Sequence, residues 1–143
     1  MARSDSASRT TTSARFELLD VNLLHCHEEI QEGLLEQTLE EIKRDGYLKK
    51  PILVADHDYV ILDGHHRFQA LKVLGCRRIP AYVIDYFSDI VQLGTWPDAV
   101  VKDVAKEEVI QRGLADDPFP PKTTRHVMRV PLPEVFTDLE DLM

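Results

Sequence analysis

The chain has 143 residues, 43% of them hydrophobic, and this length and apolar content suit one domain with its own core. The formal net charge of −8 excludes a duplex nucleic-acid surface, because binding to a phosphate backbone depends on clustered Lys and Arg side chains. The sequence has no apolar run of membrane-spanning length and no signal-peptide core, so we expect a cytoplasmic protein.

The chain starts with a polar segment. Residues 1–14 are rich in Ser, Thr and Arg without apolar periodicity, which predicts a disordered leader, and residues 15–143 are assigned to one domain. Apolar residues over 16–24 predict the first strand. Helical spacing of apolar residues over 34–42 then predicts an amphipathic helix that ends at Gly46.

Two apolar runs in the middle of the chain predict a β-hairpin. They cover residues 51–55 and 59–62 and are joined by a polar turn. A short helix over 68–74 and a strand over 79–85 follow. The later elements are a strand near Val91 and a helix over 103–112 that ends before Gly113.

A strand-to-helix turn lies between the hairpin and the short helix. Its residues are Asp63-Gly64-His65-His66-Arg67, and they place backbone N–H groups and side-chain donors at a helix N-terminus, where phosphate binds well. Aspartate before glycine is also common in ordinary turns, and an arginine here can pair structurally with a carboxylate. The motif alone therefore leaves a structural role open.

A second phosphate-binding composition lies near the C-terminus. The segment Lys122-Thr123-Thr124-Arg125-His126, which we call the clamp, follows a proline and combines two fixed cations with two hydroxyls and an imidazole. The alternative is a solvated polar loop without a ligand. The proline that stiffens its entry favours the binding role.

A polar segment before the first predicted helix contains His27 and Glu28, and we call it the elbow. A carboxylate in this position is often only a solvated residue that the helix dipole favours. The neighbouring cysteine does not have zinc-site spacing. Cys26 and Cys76 are expected to be reduced thiols without a role.

The stretch from Gly64 to Ala70 resembles the Gly-x-x-Arg-x-x-Ala signature of the ParB/sulfiredoxin superfamily. The resemblance extends over about residues 16–86 and implies a single α+β domain of ParB/sulfiredoxin type, with a mixed β-sheet flanked by helices. Sulfiredoxins carry a catalytic cysteine where this chain has His65, so repair of sulfinic acids is not expected. ParB proteins add a helix-turn-helix domain, for which this chain is too short and too acidic.

Four motifs in order resemble the free-serine kinase branch of that superfamily. They are His27-Glu28, the turn from Asp63 to Arg67, Thr95-Trp96 and the clamp, and the ending over 139–142 is also similar. Members of that branch carry a long segment between the Thr-Trp pair and the clamp, where this chain has a short helical stretch.

The resemblance implies a role for each motif. Glu28 is the expected catalytic carboxylate near the serine hydroxyl, and Asp63 is an expected second one that acts through Mg²⁺ or the serine ammonium. His27, Thr95 and Trp96 are candidates for contact with the base or the substrate, although a tryptophan is more often a core residue. The residues expected to bind the nucleotide phosphates are Gly64, His65, His66, Arg67, Lys122, Thr123, Thr124, Arg125 and His126.

The activity that this resemblance implies is phosphorylation of free L-serine to O-phospho-L-serine, with ATP or ADP as donor and Mg²⁺ as cofactor. O-Phosphoserine can feed cysteine or serine biosynthesis. The alternative is a non-catalytic, nucleotide-gated binding module with the same phosphate contacts. The expected partners are L-serine and an adenine nucleotide, without duplex nucleic acid or membrane, and the sequence leaves the donor nucleotide and the oligomeric state open.

Overall fold

The computed structural model describes residues 14–143. The predicted leader, residues 1–14, lies outside the described residues except for Ala14, which opens the first strand. The elements in chain order are β1 (Ala14–Asp20), β2 (His25–Cys26), α1 (Glu32–Asp45), β3 (Tyr47–Leu48), β4 (Ile52–Ala55), β5 (Val60–Asp63), α2 (His65–Val73), β6 (Arg78–Ile84), β7 (Val91–Thr95), α3 (Lys106–Leu114), β8 (Thr124–Met128) and β9 (Thr137–Asp138).

A five-stranded sheet forms the centre of the fold, in the order β1-β6-β4-β5-β2. The β1/β6 and β4/β5 pairs are antiparallel, whereas β4/β6 and β2/β5 are parallel. The predicted mixed sheet in an α+β domain is therefore confirmed. Two short ribbons, β3/β9 and β7/β8, lie outside this sheet.

Alternation along the central strands divides the core into two layers. Ile52 and Val54 of β4 pack in one layer with residues of α1 and α2, while Leu53 and Ala55 pack in the other with residues of α3. This is the two-residue period of a strand that is buried on both faces. Helices therefore cover both sides of the sheet, as the sequence predicted.

Several predicted boundaries differ from the structure by a few residues, and two of these differences have a clear structural cause. The first strand ends at Asp20 instead of continuing to residue 24, because the Asp20 carboxylate accepts a hydrogen bond from the Asn22 backbone N–H and starts a 3₁₀ turn. Gly113 lies inside α3 and does not terminate it. A Cβ atom at Gly113 would lie 2.8 Å from both Cγ atoms of Val60, so this glycine lets α3 pack closely against β5.

The predicted thiols are unpaired in the structure. Cys26 and Cys76 are both free, and burial raises the pKa of the Cys26 thiol to about 11. A thiol with that pKa is a poor nucleophile at neutral pH. Within residues 14–143, no helix combines the length and the apolar character needed to cross a membrane.

Candidate functional site

A cleft of about 580 Å³ lies where the elbow, the strand-to-helix turn and the clamp meet. This volume is in the range that small-molecule sites occupy. The cleft brings together the carboxylates and cations that the sequence singled out, together with the tryptophan: Glu28, Asp63, Arg67, Lys122, Arg125 and Trp96 line it.

Gly64 shapes the floor of the cleft. Its φ of 104° lies in the left-handed region, and a Cβ atom there would come within 2.9 Å of Arg67 Nη2 and of the Ile52 side chain. Only glycine fits this turn without strain. The turn leads directly into α2, whose first backbone N–H groups have no carbonyl four residues earlier in the helix and are available to an anion.

The clamp holds the carboxylate of Glu28. Oε1 accepts hydrogen bonds from the backbone N–H groups of Thr123 (3.1 Å) and Thr124 (2.8 Å) and from the Thr124 hydroxyl (3.0 Å). Among the described residues, Oε2 accepts only from the Lys122 backbone N–H, at 3.2 Å. Lys122 has a positive φ of 59°, and successive N–H groups in such a bend form a nest for an anion. Glu28 is thus anchored through Oε1, and Oε2 retains more capacity for a further partner.

The elbow itself is fixed by Phe119. The Phe119 backbone N–H donates to His27 O at 2.7 Å, and the Glu29 backbone N–H donates to Phe119 O at 2.8 Å. These bonds form a parallel bridge between Glu28 and Phe119. Sequence reasoning missed Phe119, for which the available signal is its position between two prolines, since residues before and after proline favour extended backbone.

Three clamp side chains make hydrogen-bonding contacts within the protein. The hydroxyl of the fully buried Thr123 donates to Pro120 O at 2.7 Å. Thr124 Oγ1 lies between Glu28 and His27, and His126 Nε2 lies 2.8 Å from the Tyr86 hydroxyl. The two hydroxyls and His126 Nε2 thus have protein partners, because the clamp continues into β8, whereas His126 Nδ1 is buried and has no hydrogen-bond partner within residues 14–143. These contacts support the site, and the phosphate contacts expected of the three residues remain a prediction.

Three histidine rings form a cluster at the cleft, in which His27 and His65 are buried and His126 is partly buried. The His27 ring lies 4.8 Å from that of His65 and 5.7 Å from that of His126, measured between centroids. Burial lowers the pKa of His27 to about 4 and, together with the neighbouring His27 and Lys106, lowers the pKa of His126 to about 3. Burial, reinforced by His27 and His126, also lowers the pKa of His65 well below its ordinary value. All three rings are therefore neutral near neutral pH.

His65 and His66 use one ring nitrogen within the protein. His65 Nε2 accepts from the His27 backbone N–H at 3.3 Å, and His66 Nε2 accepts from the Gln31 backbone N–H at 3.0 Å. A neutral ring that accepts at Nε2 carries its proton at Nδ1. Nδ1 is therefore the ring nitrogen left to donate to a phosphate, and that contact remains a prediction.

Arg67 and Asp63 are four residues apart and face each other, with Arg67 Nη2 at 3.8 Å from Asp63 Oδ2. Arg67 Nη2 also donates weakly to Pro51 O at 3.5 Å. Burial lowers the pKa of this guanidinium. Arg67 Nε is buried and has no hydrogen-bond partner within residues 14–143, so part of its donor capacity stays available.

The clamp cations lie over the tryptophan. Lys122 Nζ is 5.5 Å and Arg125 Cζ is 5.0 Å from the centroid of the Trp96 ring, which are cation–π distances. Trp96 is 36% exposed and belongs to the wall of the cleft, not to the core. Thr95 pairs with Thr124 in the β7/β8 ladder, so it contributes backbone support to the clamp.

Two further side chains, those of Tyr86 and Lys106, support the clamp. The sequence did not single them out. Tyr86 holds His126 through its hydroxyl, and Lys106 Nζ donates to the carbonyl oxygens of Tyr86, Ser88 and Val91 at 2.6, 3.1 and 2.9 Å. These contacts join residues 15 or more positions apart, and no local pattern in the sequence indicates them.

The donor atoms of the cleft suit Mg²⁺ better than a metal ion that is coordinated by several protein side chains. Within the described residues, no three His, Cys, Asp or Glu side chains converge to hold an ion. Mg²⁺ is usually bound through one or two carboxylates, and waters and substrate phosphates complete its coordination. Asp63, with 61% of its side chain exposed beside the cations of the cleft, fits that pattern.

Comparison with protein families gives a match to the ParB N-terminal domain over residues 2–94. Among characterised proteins, an ATP-dependent L-serine kinase of Staphylothermus marinus is 40% identical over 103 residues, which cover 68% of this chain and 41% of that protein. The ADP-dependent L-serine kinase SerK of Thermococcus kodakarensis is 34% identical over 106 residues, covering 71% of this chain and 43% of that protein. The chain thus spans about two fifths of the length of these relatives.

Solved structures share the fold. A free serine kinase in complex with AMP superimposes with a TM-score of 0.82 at 21% identity, over 90% of this chain and 93% of the other. A mutant free serine kinase in complex with ADP gives a TM-score of 0.82 at 20% identity, over 90% and 94% of the two chains. SbnI from Staphylococcus aureus, with its C-terminus truncated, gives 0.77 at 16% identity, over 89% and 88%.

Proposed function

The chain belongs to the ParB N-terminal domain family, and on that premise we propose that it phosphorylates free L-serine to O-phospho-L-serine, with ATP or ADP as phosphoryl donor and Mg²⁺ as cofactor. The proposal draws on two kinds of support: the relatives named as L-serine kinases, and the chemistry of the cleft.

One observation carries the proposal: an anchored carboxylate lies beside the cations of the same cleft. Glu28 receives four hydrogen bonds from the clamp, and the side chains of Lys122, Arg125 and Arg67 line the same cavity. A transferase that moves phosphate to a hydroxyl needs both groups, a proton acceptor for the hydroxyl and positive charge for the phosphates.

We propose that the nucleotide phosphates bind at the N-terminus of α2. The first backbone N–H groups of α2, which have no partner within the helix, follow Gly64 and are suited to bind an anion, and Arg67 adds a guanidinium from the same turn. Lys122 and Arg125 approach from the clamp, where Trp96 restrains them. These donors offset the charge that develops on the transferred phosphoryl group.

Glu28 is assigned to the serine hydroxyl. Its anchored carboxylate accepts or orients the hydroxyl proton while the hydroxyl oxygen attacks phosphorus. Phosphoryl transfer asks for positioning and charge stabilisation more than covalent chemistry, so a fixed carboxylate is well suited to this task. Asp63 is assigned to Mg²⁺, which would neutralise charge on the phosphate oxygens, or to the serine ammonium.

We place this reaction in the cytoplasm and assign its product to cysteine or serine biosynthesis. The partners in the proposal are L-serine and an adenine nucleotide, without duplex nucleic acid, because the formal charge of −8 opposes binding to a phosphate backbone.

Phosphorus NMR tests the proposal directly. Purified protein is incubated with L-serine, Mg²⁺ and either ATP or ADP, and the expected result is an O-phosphoserine resonance that grows as the donor is consumed. A nucleotide-gated binding module would bind nucleotide without consuming serine. Binding without O-phosphoserine for both donors would reject the kinase and favour the module.

A further inference from the structure

A buried line of hydrogen-bonding atoms runs from the cleft into the histidine cluster. Glu28 Oε1 lies 3.0 Å from Thr124 Oγ1, Thr124 Oγ1 lies 2.7 Å from His27 Nε2, and His27 Nδ1 lies 2.7 Å from Ile61 O. His27 is fully buried, and Thr124 is 7% exposed. Water therefore has little access to these three contacts.

Before the reaction the line holds too few protons for all three contacts to be hydrogen bonds. Both ends of the line, the Glu28 carboxylate and the Ile61 carbonyl, are acceptors only. A neutral imidazole supplies one proton and the threonine hydroxyl supplies another, so two protons serve three contacts. The Ile61 carbonyl fixes the imidazole proton at Nδ1, which leaves the Thr124 hydroxyl with two acceptors and a single proton.

We propose that Thr124 is a proton relay between Glu28 and His27, which together take up one proton as a unit. The proposal rests on the proposed function in one respect, namely that the proton comes from the substrate hydroxyl. That O–H bond breaks, its electron pair stays on the oxygen that attacks phosphorus, and the proton binds Glu28. From Oε1 it passes to Thr124 Oγ1 as the hydroxyl proton of Thr124 moves to His27 Nε2.

After the proton transfer, all three contacts of the line are hydrogen bonds. The carboxylate is restored, the threonine hydroxyl again donates to Oε1, and the imidazolium donates at Nδ1 to Ile61 O and at Nε2 to Thr124 Oγ1, so each of the three contacts then has its proton. The other ionisable groups that face His27 are His65 and His126, both neutral, and the Phe119 ring closes the remaining side. Thr124 and His27 are positioning residues here, because they act through Glu28.

Nitrogen NMR of ligand-free protein tests the relay without relying on catalysis. Near neutral pH we expect the His27 ring to carry its proton at Nδ1, and Glu28→Gln to shift the His27 Nε2 resonance although the two side chains are linked only through the Thr124 hydroxyl. In the Thr124→Val background the same Glu28→Gln change should leave that resonance in place, whereas Thr124→Ser should keep the effect. Thr123→Val is the matched control, since its hydroxyl bonds to Pro120 O outside the line.

Kinetics separates the relay from the kinase assignment. Thr124→Val should lower kcat about threefold to tenfold, the value of one neutral hydrogen bond, with KM for the nucleotide nearly unchanged and with recovery in Thr124→Ser. A Glu28→Gln shift at His27 that is absent, or that survives Thr124→Val, overturns the relay even if serine is phosphorylated. A shift that depends on Thr124 in a protein that forms no O-phosphoserine upholds the coupling and rejects only the kinase.

Discussion

Glu28 enters the cleft with its carboxylate already held by the clamp. A side chain that is fixed before the substrate arrives loses little freedom in the reaction, which is how positioning contributes to rate. The sequence placed Glu28, Lys122 and Arg125 in one site through their motifs. It did not indicate that the backbone of the clamp would bind Glu28 itself, because a contact between residues 94 to 96 positions apart leaves no local pattern.

Replacing Glu28 removes the proposed proton acceptor while keeping its shape. Glu28→Gln should lower serine phosphorylation by about 10²–10⁴-fold, the usual effect of losing a positioned base, with nucleotide affinity nearly intact. Steady-state rates and nucleotide titration measure the two effects. Glu29→Gln is the control, since Glu29 is exposed and next in sequence. Turnover in Glu28→Gln equal to that of the control would remove Glu28 from the reaction.

Replacing the clamp cations tests the phosphate contacts. Lys122→Ala and Arg125→Ala should each weaken nucleotide and O-phosphoserine binding by about 1.5–3 kcal/mol, because each is assigned a charge-assisted hydrogen bond to phosphate. Isothermal titration calorimetry measures this, with serine as the ligand that should be little affected. Lys43→Ala, on the exposed surface of α1, is the control for lost charge. If both clamp variants match Lys43→Ala, the clamp is not a phosphate site.

At the scale of elements, tertiary packing explains the errors in the helix and strand boundaries that the sequence predicted. Four strands of the central sheet, together with α1 and the β4/β5 hairpin, follow from apolar periodicity and turn residues, and the structure confirms them, whereas β2 was not predicted. Gly113 looked like a helix end, yet it lies inside α3 because β5 leaves no room for a side chain there. The composition of the clamp also allowed a solvated polar loop, yet Thr124 and the residues after it join the β7/β8 ladder. Both outcomes come from tertiary contacts that override local preference.

Two helical glycines should respond oppositely to alanine. Gly113→Ala places a Cβ atom 2.8 Å from Val60 and should destabilise the fold by about 1–3 kcal/mol through overpacking. Gly33→Ala, in α1, meets no atom within 4 Å and should stabilise it by about 0.5 kcal/mol through helix propensity. Urea unfolding measures both changes. The same sign for the two variants would refute close packing of α3 on β5.

At the scale of the whole molecule, the buried histidines link stability to pH. The buried His27 and His65 and the partly buried His126 are neutral rings with lowered pKa values, whereas in the unfolded chain each has an ordinary value near 6.5. Below pH 6.5 the unfolded chain therefore binds more protons than the folded one. Their contribution to stability is complete above pH 6.5 and is lost as the pH falls toward about 4.

Acid should accordingly destabilise this fold before the carboxylates titrate. Between about pH 6.5 and 4 the free energy of unfolding should fall by up to about 1.4 kcal/mol per pH unit for each buried histidine. Urea unfolding at a series of pH values measures this slope. His126→Gln should flatten it, and His57→Gln, whose side chain is 90% exposed, should not. An equal slope in both variants would mean that the buried cluster is not its source.

The hydrogen bonds from the clamp to Glu28 also set an order of assembly. They close a loop of more than 90 residues, whereas the β4/β5 hairpin and the two helices beside it form from near neighbours in sequence. Contacts at long sequence separation carry the larger loop-closure entropy and form late in folding. During synthesis the central sheet can therefore form while the clamp is still inside the ribosome. Glu28 and the clamp cations Lys122 and Arg125 meet only after the chain has emerged beyond the clamp, so a chain that stops before residue 122 has the central sheet without the proposed site.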